Sequence, residues 1–158
     1  MFSVSQTTGY AILAMSRLEG PDGTPGQVKK VAEETGVTPA YLSKTVHKLG
    51  RSGLLRTKRG VKGGVVLARE PDSITLLEIS DAIDGPEWLG RCLLGLEECS
   101  DERSCPTHEF WKRTREQIRT TLASTTLDQV KEFEGTGWAT QLLSGEGTES
   151  AGRKVRGR

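Results

Sequence analysis

Long hydrophobic runs are missing from this sequence of 158 residues, in which apolar residues make up only 34% of the chain. A membrane-spanning helix needs about 20 consecutive apolar residues, so the sequence excludes a protein anchored by such helices. The first ten residues also lack the basic start and the apolar run of a secretory signal peptide. We therefore expect a cytoplasmic protein without a membrane partner, folded as one compact domain or as a small domain with an arm.

Catalytic motifs are missing as well. The sequence shows no Ser/His/Asp set, no phosphate-binding glycine loop before a helix and no metalloprotease signature. Histidine occurs only twice, as His47 and His108. We therefore predict that the protein is not an enzyme and that it acts by binding and sensing.

Charge of one sign is not in large excess over the whole chain, whose net charge is +1. The balance is uneven along the sequence. Residues 1–70 carry eleven Lys and Arg against five Asp and Glu, residues 71–110 carry two against ten, and residues 111–158 carry nine against six. A basic N-terminal block suits a polyanion such as nucleic acid, with ordinary surface charge as the alternative.

The segment from Val28 to Leu49 has the pattern of a helix-turn-helix. Its apolar and small positions fall at helical spacing on both sides of a glycine: Val31, Ala32, Gly36, Val37, Leu42, Val46 and Leu49. Gly36 permits a sharp turn, and Thr38 with Pro39 supplies an N-cap and a first helical residue. Two ordinary amphipathic helices in succession are the alternative.

A basic β-hairpin is predicted directly after this motif. The strand-like segments 54–59 and 65–69 flank a glycine-rich stretch, which is typical of a hairpin. Its basic residues are Arg56, Lys58, Arg59 and Lys62. A hairpin in this position is the wing of a winged helix and suits contact with phosphates or a minor groove. A solvated basic hairpin of any small fold is the alternative.

Further helices are predicted on both sides of the helix-turn-helix and wing. The first covers residues 3–18, with Ser3 or Ser5 as its cap, and the Gly- and Pro-rich segment 20–26 ends it. Its expected apolar face consists of Tyr10, Leu13, Ala14 and Leu18. A short apolar helix follows the wing over residues 73–84.

The pattern becomes helical again from Pro106 to about Ala123, with Trp111, Ile118 and Leu122 on one face. A lone helix cannot bury these side chains. Packing on the same helix of a second subunit would bury them and form a homodimer, and packing back onto the same chain is the alternative.

Four parts are therefore expected along the chain. They are a winged helix-turn-helix DNA-binding domain over 1–84, a loop over 85–108 that contains every cysteine of the chain, a dimerisation helix with a short following helix over 106–134, and a flexible tail over 135–158. The predicted fold class is mainly α with a small β-hairpin wing, extended by a long C-terminal dimerisation helix.

All three cysteines lie in one stretch that ends at a histidine. The order along the chain is Cys92, Cys99, Cys105 and His108. Clustered cysteines in the cytoplasm more often hold metal than form disulfides. Structural zinc usually draws its cysteines in pairs two to four residues apart, whereas iron–sulfur clusters accept looser spacing. Gaps of six and five residues favour an iron–sulfur cluster over zinc. A disulfide with one free thiol, or buried small hydrophobic cysteines, are the alternatives.

The histidine of this stretch comes three positions after the last cysteine. If Pro106 opens the final helix, Cys105 and His108 lie in its first turn, where the positive end of the helix favours a thiolate. A polar residue on an exposed helix start is the alternative for His108.

The chain resembles the IscR/NsrR family of bacterial winged-helix regulators over roughly residues 3–130. The shared features, in order, are Tyr41-Leu42 in the helix-turn-helix, segments 49–54, 59–64 and 74–79, and the three cysteines. The resemblance implies a dimer whose cluster-binding loop controls DNA binding.

The resemblance also implies that Cys92, Cys99 and Cys105 ligate the cluster. In members that end their cysteine motif in Cys-x-x-His, as this chain does, the histidine completes a 2Fe–2S site. In other members the first helix of the partner supplies a carboxylate to a 4Fe–4S cluster, and Gly9 stands at the matching position here. This departure favours His108 as the fourth ligand, although the first gap is one residue longer than the histidine type and could admit Glu97, Glu98 or solvent.

We expect a DNA-binding regulator, most simply a repressor, that senses iron, redox or nitrosative state and binds a double-stranded operator as a homodimer. The second helix of the motif would enter the major groove while the wing reaches the flanking backbone. The predicted DNA-binding residues are Thr38, Ala40, Tyr41, Ser43, Lys44, Lys58, Arg59, Gly60 and Lys62. A zinc-stabilised protein-interaction module and a cluster-free regulator of the same fold are the alternatives.

Overall fold

The computed structural model describes residues 4–60, 62–95, 99 and 105–134. These residues form six helices and one antiparallel hairpin: α1 Gln6–Ser16, α2 Val28–Thr35, α3 Pro39–Arg51, β1 Leu55–Lys58, β2 Gly64–Leu67, α4 Leu76–Asp84, α5 His108–Ser124 and α6 Leu127–Glu134. A single 3-10 turn, Pro71–Ser73, precedes α4. The order confirms the predicted fold class, a mainly α winged helix-turn-helix with a long C-terminal helix.

The helix-turn-helix forms as its sequence predicts. α2 ends at Gly36, whose φ of 67° is the left-handed conformation that glycine adopts without strain. Thr38 then occupies the N-cap position and Pro39 the first turn of α3. Val37 and Leu42 are both buried in the hydrophobic core of the domain.

The wing pairs β1 with β2 in the register Leu55 to Leu67 and Lys58 to Gly64. Gly26 exchanges two backbone hydrogen bonds of 2.9 Å with Val65, so the segment before α2 pairs with the free edge of β2. This edge of the hairpin is therefore partly covered by its own chain.

The core lies between α1, α2, α3, α4 and the hairpin. Its fully buried large side chains are Met15, Leu42, Leu49, Val66, Leu67, Ile74, Ile79 and Leu127. Each of them contributes about 1.5–3 kcal/mol through removal from water. The presence of a residue from α6 in this set shows that the chain returns to the N-terminal domain after α5.

Two backbone hydrogen bonds fix that return. Leu76 N–H donates to Thr125 O at 2.9 Å, and Leu127 N–H donates to Ile74 O at 2.8 Å. At the other end of α6, the carboxylate of Glu134 accepts from the Ser16 hydroxyl at 2.5 Å. α6 is thus part of the domain core, and α5 is anchored at its C-terminal end.

The structure corrects the first helix in extent and in its buried face. The helix begins after Ser5, whose hydroxyl accepts from Thr8 N–H at 3.1 Å, and it ends at Ser16 instead of residue 18. Of the predicted apolar face, Ala14 and Leu18 are buried, whereas Tyr10 and Leu13 are only half-buried. The buried positions within the helix are Thr8, Ala11, Ala14, Met15 and Ser16, and the hydroxyls of Thr8 and Ser16 donate to Asp84 and Glu134.

Two other helix starts differ from the prediction. α4 begins at Leu76 and not at 73, because Pro71 opens a 3-10 turn and Thr75 then caps the helix in a capping box with Glu78. α5 begins at His108 and not at Pro106, since Pro106 lies in a turn and Thr107 takes the N-cap position. The predicted tail over 135–158 lies outside the described residues.

Candidate functional site

The predicted DNA-reading helix presents one polar face to solvent. Thr38, Ala40, Tyr41, Ser43 and Lys44 are all exposed. The buried residues of α3 are Leu42, Thr45 and Leu49. This division is the one that a recognition helix needs, because the side chains that anchor it do not compete with those that face a partner.

Tyr41 differs from the other four exposed residues because its side chain is held by α1. Its hydroxyl lies 2.5 Å from Thr7 Oγ1, and its ring makes an edge contact with Tyr10 at 6.1 Å between centroids. Only 37% of Tyr41 is exposed. Its position on the surface is therefore set by the first helix of the chain.

Arg59, Gly60 and Lys62 are exposed on the wing, as predicted. Gly60 has a φ of 115°, a conformation that side chains rarely adopt. Lys58, by contrast, is half-buried at the end of β1, and its Nζ donates to Gly23 O at 3.1 Å. The structure thus gives Lys58 an internal partner, which makes it a weaker candidate for phosphate contact than Lys62.

Sequence reasoning left out a second exposed row on α3. Ser43, His47 and Arg51 follow one another at intervals of four residues and line an open groove of about 550 Å³ beside Thr57 of the wing. The interval of four was the available signal, since residues so spaced lie on one face of a helix. His47 and Arg51 therefore join the candidate DNA-binding surface.

The cysteine stretch places one thiol next to the histidine. Cys99 Sγ lies 3.2 Å from His108 Nδ1. His108 is the first residue of α5 and only 8% of it is exposed, so the alternative of a polar residue on an exposed helix start is wrong. The buried ring and the thiol form the centre of the candidate metal site.

The Cys105 thiol is more acidic than an ordinary cysteine thiol. Hydrogen bonds from Thr107, first through its hydroxyl and then through its backbone N–H, hold the pKa of the Cys105 thiol below its usual value of 9.0. The Sγ to Oγ1 distance is 3.3 Å. Thiolates bind metals and attack disulfides, so this environment prepares Cys105 for either chemistry.

All three cysteines are free thiols and all three are half-buried. A disulfide between two of them is therefore not part of this structure, and none is a buried small hydrophobic residue. Cys92 is placed by its own turn, in which Gly95 N–H donates to Cys92 O at 3.0 Å.

The separation of one donor pair is compatible with two ligands of a single metal ion. Two ligands of a tetrahedral ion lie about 3.5 Å apart, given bond lengths of about 2.3 Å to sulfur and about 2.0 Å to nitrogen, and the Cys99–His108 contact of 3.2 Å is close to this. Within 4–60, 62–95, 99 and 105–134, no group of three or more His, Cys, Asp or Glu side chains meets in such an arrangement. The structure therefore brings Cys99 and His108 together and leaves Cys92 and Cys105 in the surrounding segment.

α5 fixes the segment that leads into the cysteine stretch by donating to its backbone carbonyls. Trp111 Nε1 donates to Arg91 O at 2.8 Å. Arg115 reaches the carbonyls of residues 89 and 90 and lies over the Trp111 ring, and Arg119 reaches Pro86 O at 3.3 Å. Such long-range contacts give no sequence signal. They make the position of α5 and the course of residues 85–91 depend on each other.

In the part of the chain that the structure describes, no helix is long and apolar enough to cross a membrane.

Comparison with known proteins gives consistent matches. The model of the family Rrf2, described as an iron-dependent transcriptional regulator, matches residues 4–132. The HTH-type transcriptional regulator CymR of Bacillus subtilis is 30% identical over 131 residues, covering 82% of this chain and 90% of CymR. The HTH-type transcriptional regulator IscR of Xenorhabdus nematophila is 31% identical over 123 residues, covering 77% and 74%. The solved structure of CymR, the global cysteine regulator of Bacillus subtilis, superposes with a TM-score of 0.71 at 29% identity and covers 84% of this chain and 98% of that one.

Proposed function

Because the chain belongs to the Rrf2 family of transcriptional regulators, we propose that it is a cytoplasmic homodimeric repressor that senses iron, redox or nitrosative state through an iron–sulfur cluster. As a member of this family it regulates transcription and is not an enzyme. Membership of a family of transcriptional regulators argues against the alternative of a zinc-stabilised module that works only through protein contacts.

The DNA-binding part of the proposal rests on the exposed face of α3 and on the wing. Thr38, Ala40 and Lys44 are exposed on α3, and we propose that they reach base edges or phosphates when α3 lies in a major groove. Arg59 and Lys62 are exposed on the wing, and we propose that they contact the flanking backbone. Neutralising phosphates with such cations releases counterions, so we expect binding to weaken steeply as salt is added.

The sensing part rests on a single observation, the 3.2 Å contact between Cys99 Sγ and His108 Nδ1. We propose Cys92, Cys99, Cys105 and His108 as the ligands, with a 2Fe–2S cluster favoured over a 4Fe–4S cluster because a histidine is already paired with a thiol. A bound cluster would supply a centre that reacts with oxidants and nitric oxide and that depends on iron supply. The four side chains would hold it, and the hydrogen bonds that lower the pKa of the Cys105 thiol favour the ligating thiolate.

The signal would reach DNA through α5. His108 is the first residue of that helix, so a change at Cys99 and His108 acts directly on its N-terminus. Trp111, which lies on the predicted dimer face, is buried within its own chain and donates to Arg91 O. The face of α5 that stays open exposes 60% of Phe110 beside an open groove that includes Thr114 and Gln117. We propose that the same helix of a second subunit covers this face, so that a shift of α5 alters the spacing of the two α3 helices.

A cluster-free regulator is the second candidate, and the likeness to CymR favours it. CymR is named as the global cysteine regulator of its organism, and the lowered pKa of the Cys105 thiol also suits a thiol that responds to oxidation. The two candidates share the DNA-binding surface and differ in what the cysteines carry. Metal and sulfide content of the purified protein separates them.

Selection of duplexes from a randomised double-stranded library tests the regulator itself. The full chain, purified without oxygen, should enrich an operator with two related half-sites about one or two helical turns apart, as a dimer of winged helices requires. The triple variant Thr38→Ala, Lys44→Ala, Arg59→Ala should enrich none. Equal enrichment by both proteins, or failure of the natural chain to retain any duplex at low salt, would contradict the proposal.

A further inference from the structure

The C-terminal residue of α4 is bonded to the start of α1. The Asp84 carboxylate accepts from the Ser5 hydroxyl at 2.7 Å through Oδ1 and from the Thr8 hydroxyl at 2.8 Å through Oδ2. Thr8 is fully buried. Ser5 is the N-cap of α1, so the carboxylate also lies near the positive end of that helix. One side chain thus joins the end of α4 to the beginning of α1.

Another residue in the first turn of α1, Thr7, contacts the predicted DNA-reading helix α3. Thr7, which lies between the two partners of Asp84, has its hydroxyl 2.5 Å from the hydroxyl of Tyr41 on α3. Tyr10, one turn further on, packs its ring edge against Tyr41 and accepts a hydrogen bond from Gln6. The first turn of α1 therefore carries contacts to α4 on one side and to α3 on the other.

A second, direct contact joins α3 to the same end of α4. Lys48 of α3 donates through Nζ to the carbonyl of Ile83, the residue before Asp84. The C-terminus of α4 is thus connected to α3 near both of its ends. The connection at Tyr41 runs through α1, and the connection at Lys48 is direct.

Asp84 also borders the cysteine segment. It precedes Gly85, whose φ is 86°, and lines an open pocket of about 480 Å³ together with Cys99 and Arg115. The residues that follow Gly85 are held by the carbonyl contacts from α5. A displacement of α5 or of the Cys99–His108 pair therefore acts on the backbone directly after Asp84.

From these contacts we infer that Asp84 is a positioning residue that couples the state of the cysteine site to the placement of Tyr41 on α3. The Asp84 network consists of Ser5, Thr7, Thr8, Tyr41 and Asp84. Through these contacts Tyr41 fixes the position of α3 on the domain. The inference rests on the proposed function, because it names the route by which that site regulates DNA binding.

Hydrogen exchange of the full chain tests the network without DNA. In Asp84→Ala we expect faster amide exchange at residues 6–10 and 39–44, with β1 and β2 unchanged. The matched control Asp72→Ala removes an exposed carboxylate from the turn before α4 and should leave residues 39–44 as they are. Cys99→Ser should speed exchange at 39–44 in the natural chain and add nothing further in Asp84→Ala.

Three results would each overturn the inference. The first is faster amide exchange confined to residues 76–95 in Asp84→Ala, and the second is an equal effect of Asp72→Ala on exchange at 39–44. The third is that Cys99→Ser leaves exchange at 39–44 unchanged when Asp84 is present, or speeds it by the same amount when Asp84 is replaced by Ala. If Asp84→Ala does not fold, Ser5→Ala with Thr8→Val removes the same two donors at almost constant volume and is held to the same outcomes. Loss of all duplex binding by the natural chain would count against the proposed function and leave this readout intact.

The DNA affinity of the variants tests the inference independently of hydrogen exchange. Removing a carboxylate by itself favours binding to a polyanion, whereas loss of the network should raise the Kd of Asp84→Ala for the selected operator about tenfold, within the range of allosteric couplings. Tyr41→Phe should weaken binding by a similar factor. The double variant should be no weaker than the weaker-binding single variant. Multiplying effects, or tighter binding by Asp84→Ala, would overturn the coupling.

Discussion

Cys99 Sγ lies 3.2 Å from His108 Nδ1, across the turn that leads into the long helix of the domain. Because His108 is buried and begins α5, this pair ties the chemistry of a thiol to the position of a helix. Side chains of the same helix donate hydrogen bonds to backbone carbonyls within residues 86–91. A chemical change at the Cys99 sulfur therefore alters a contact that positions the N-terminus of α5.

The two histidines of the chain should behave differently toward metal. We expect His108→Ala to lose most of its bound iron after purification without oxygen, because one donor of the pair is gone. His47→Ala is the matched control, since His47 is exposed on α3, and it should keep the iron content of the natural chain. Iron and sulfide analysis measures both. Equal iron in the two variants would show that His108 is not a ligand.

The wing lysines should differ in their effect on salt dependence. Lys62 is exposed, so Lys62→Ala should reduce the slope of log affinity against log salt by about 0.9, the value for one phosphate contact. Lys58 donates to Gly23 O, and its substitution by Ala should change the slope less. Lys131→Ala is the control, because its Nζ donates to Leu18 O at the α6 side of the domain. A slope unaltered in Lys62→Ala would remove the wing from the DNA contact.

Two glycines should respond to alanine with opposite signs. Gly36→Ala forces a side chain into the left-handed conformation and should lower the free energy of unfolding by about 1–2 kcal/mol. Gly9 lies in the middle of α1, where a methyl group added to its Cα would meet no other part of the protein within 4 Å. Gly9→Ala should therefore raise that free energy by about 0.5–1 kcal/mol. Urea unfolding of both variants measures the pair, and destabilisation by Gly9→Ala would contradict the conformation assigned to α1.

The capping box of α4 predicts a pH-dependent contribution to stability. Partial burial raises the pKa of Glu78, but hydrogen bonds from Thr75 N–H and the Arg69 guanidinium outweigh it and hold the pKa below 4.5. A lowered pKa stabilises the fold above the unfolded value, and this gain is lost as pH falls through the folded value. The stability difference between the natural chain and Glu78→Gln should be constant from pH 7 to about pH 5.5 and shrink below about pH 4.5.

The size of that difference should be well below 1 kcal/mol, since 41% of the Glu78 side chain is exposed and solvent screens the ion pair. Thr75→Ala removes the cap itself and should cost about 1 kcal/mol at every pH. Thermal unfolding at several pH values measures both. A Glu78→Gln difference that grows as the pH falls would contradict the assigned pKa direction.

Local patterns made the DNA-binding half of the molecule predictable. Gly36, Thr38 and Pro39 specify a turn and a helix start within four residues, and apolar spacing then fixes the buried side of α3. The wing follows from two short strands around glycines. The start of α5 was misplaced because Pro106 suits a first helical turn and a preceding turn equally well, and only the contacts of His108 decide between them.

Contacts between distant residues carry the rest of the site and leave no pattern in the sequence. Thr7 and Tyr41 are 34 positions apart, and Asp84 meets Ser5 across 79 positions. The spacing of the cysteines indicates a common ligand site. The structure brings Cys99 next to His108, and the full set of ligands remains a prediction. The expected shift in half-site spacing on cluster loss remains a prediction, because it depends on a second subunit.

The visible absorption spectrum of the full chain purified without oxygen, with its iron, sulfide and zinc content, tests most directly whether the cysteine site holds an iron–sulfur cluster. We predict a coloured protein with iron and sulfide in equal amounts, and loss of both in Cys99→Ser. A colourless protein that carries one zinc per chain, or no metal at all, would contradict the proposed cluster.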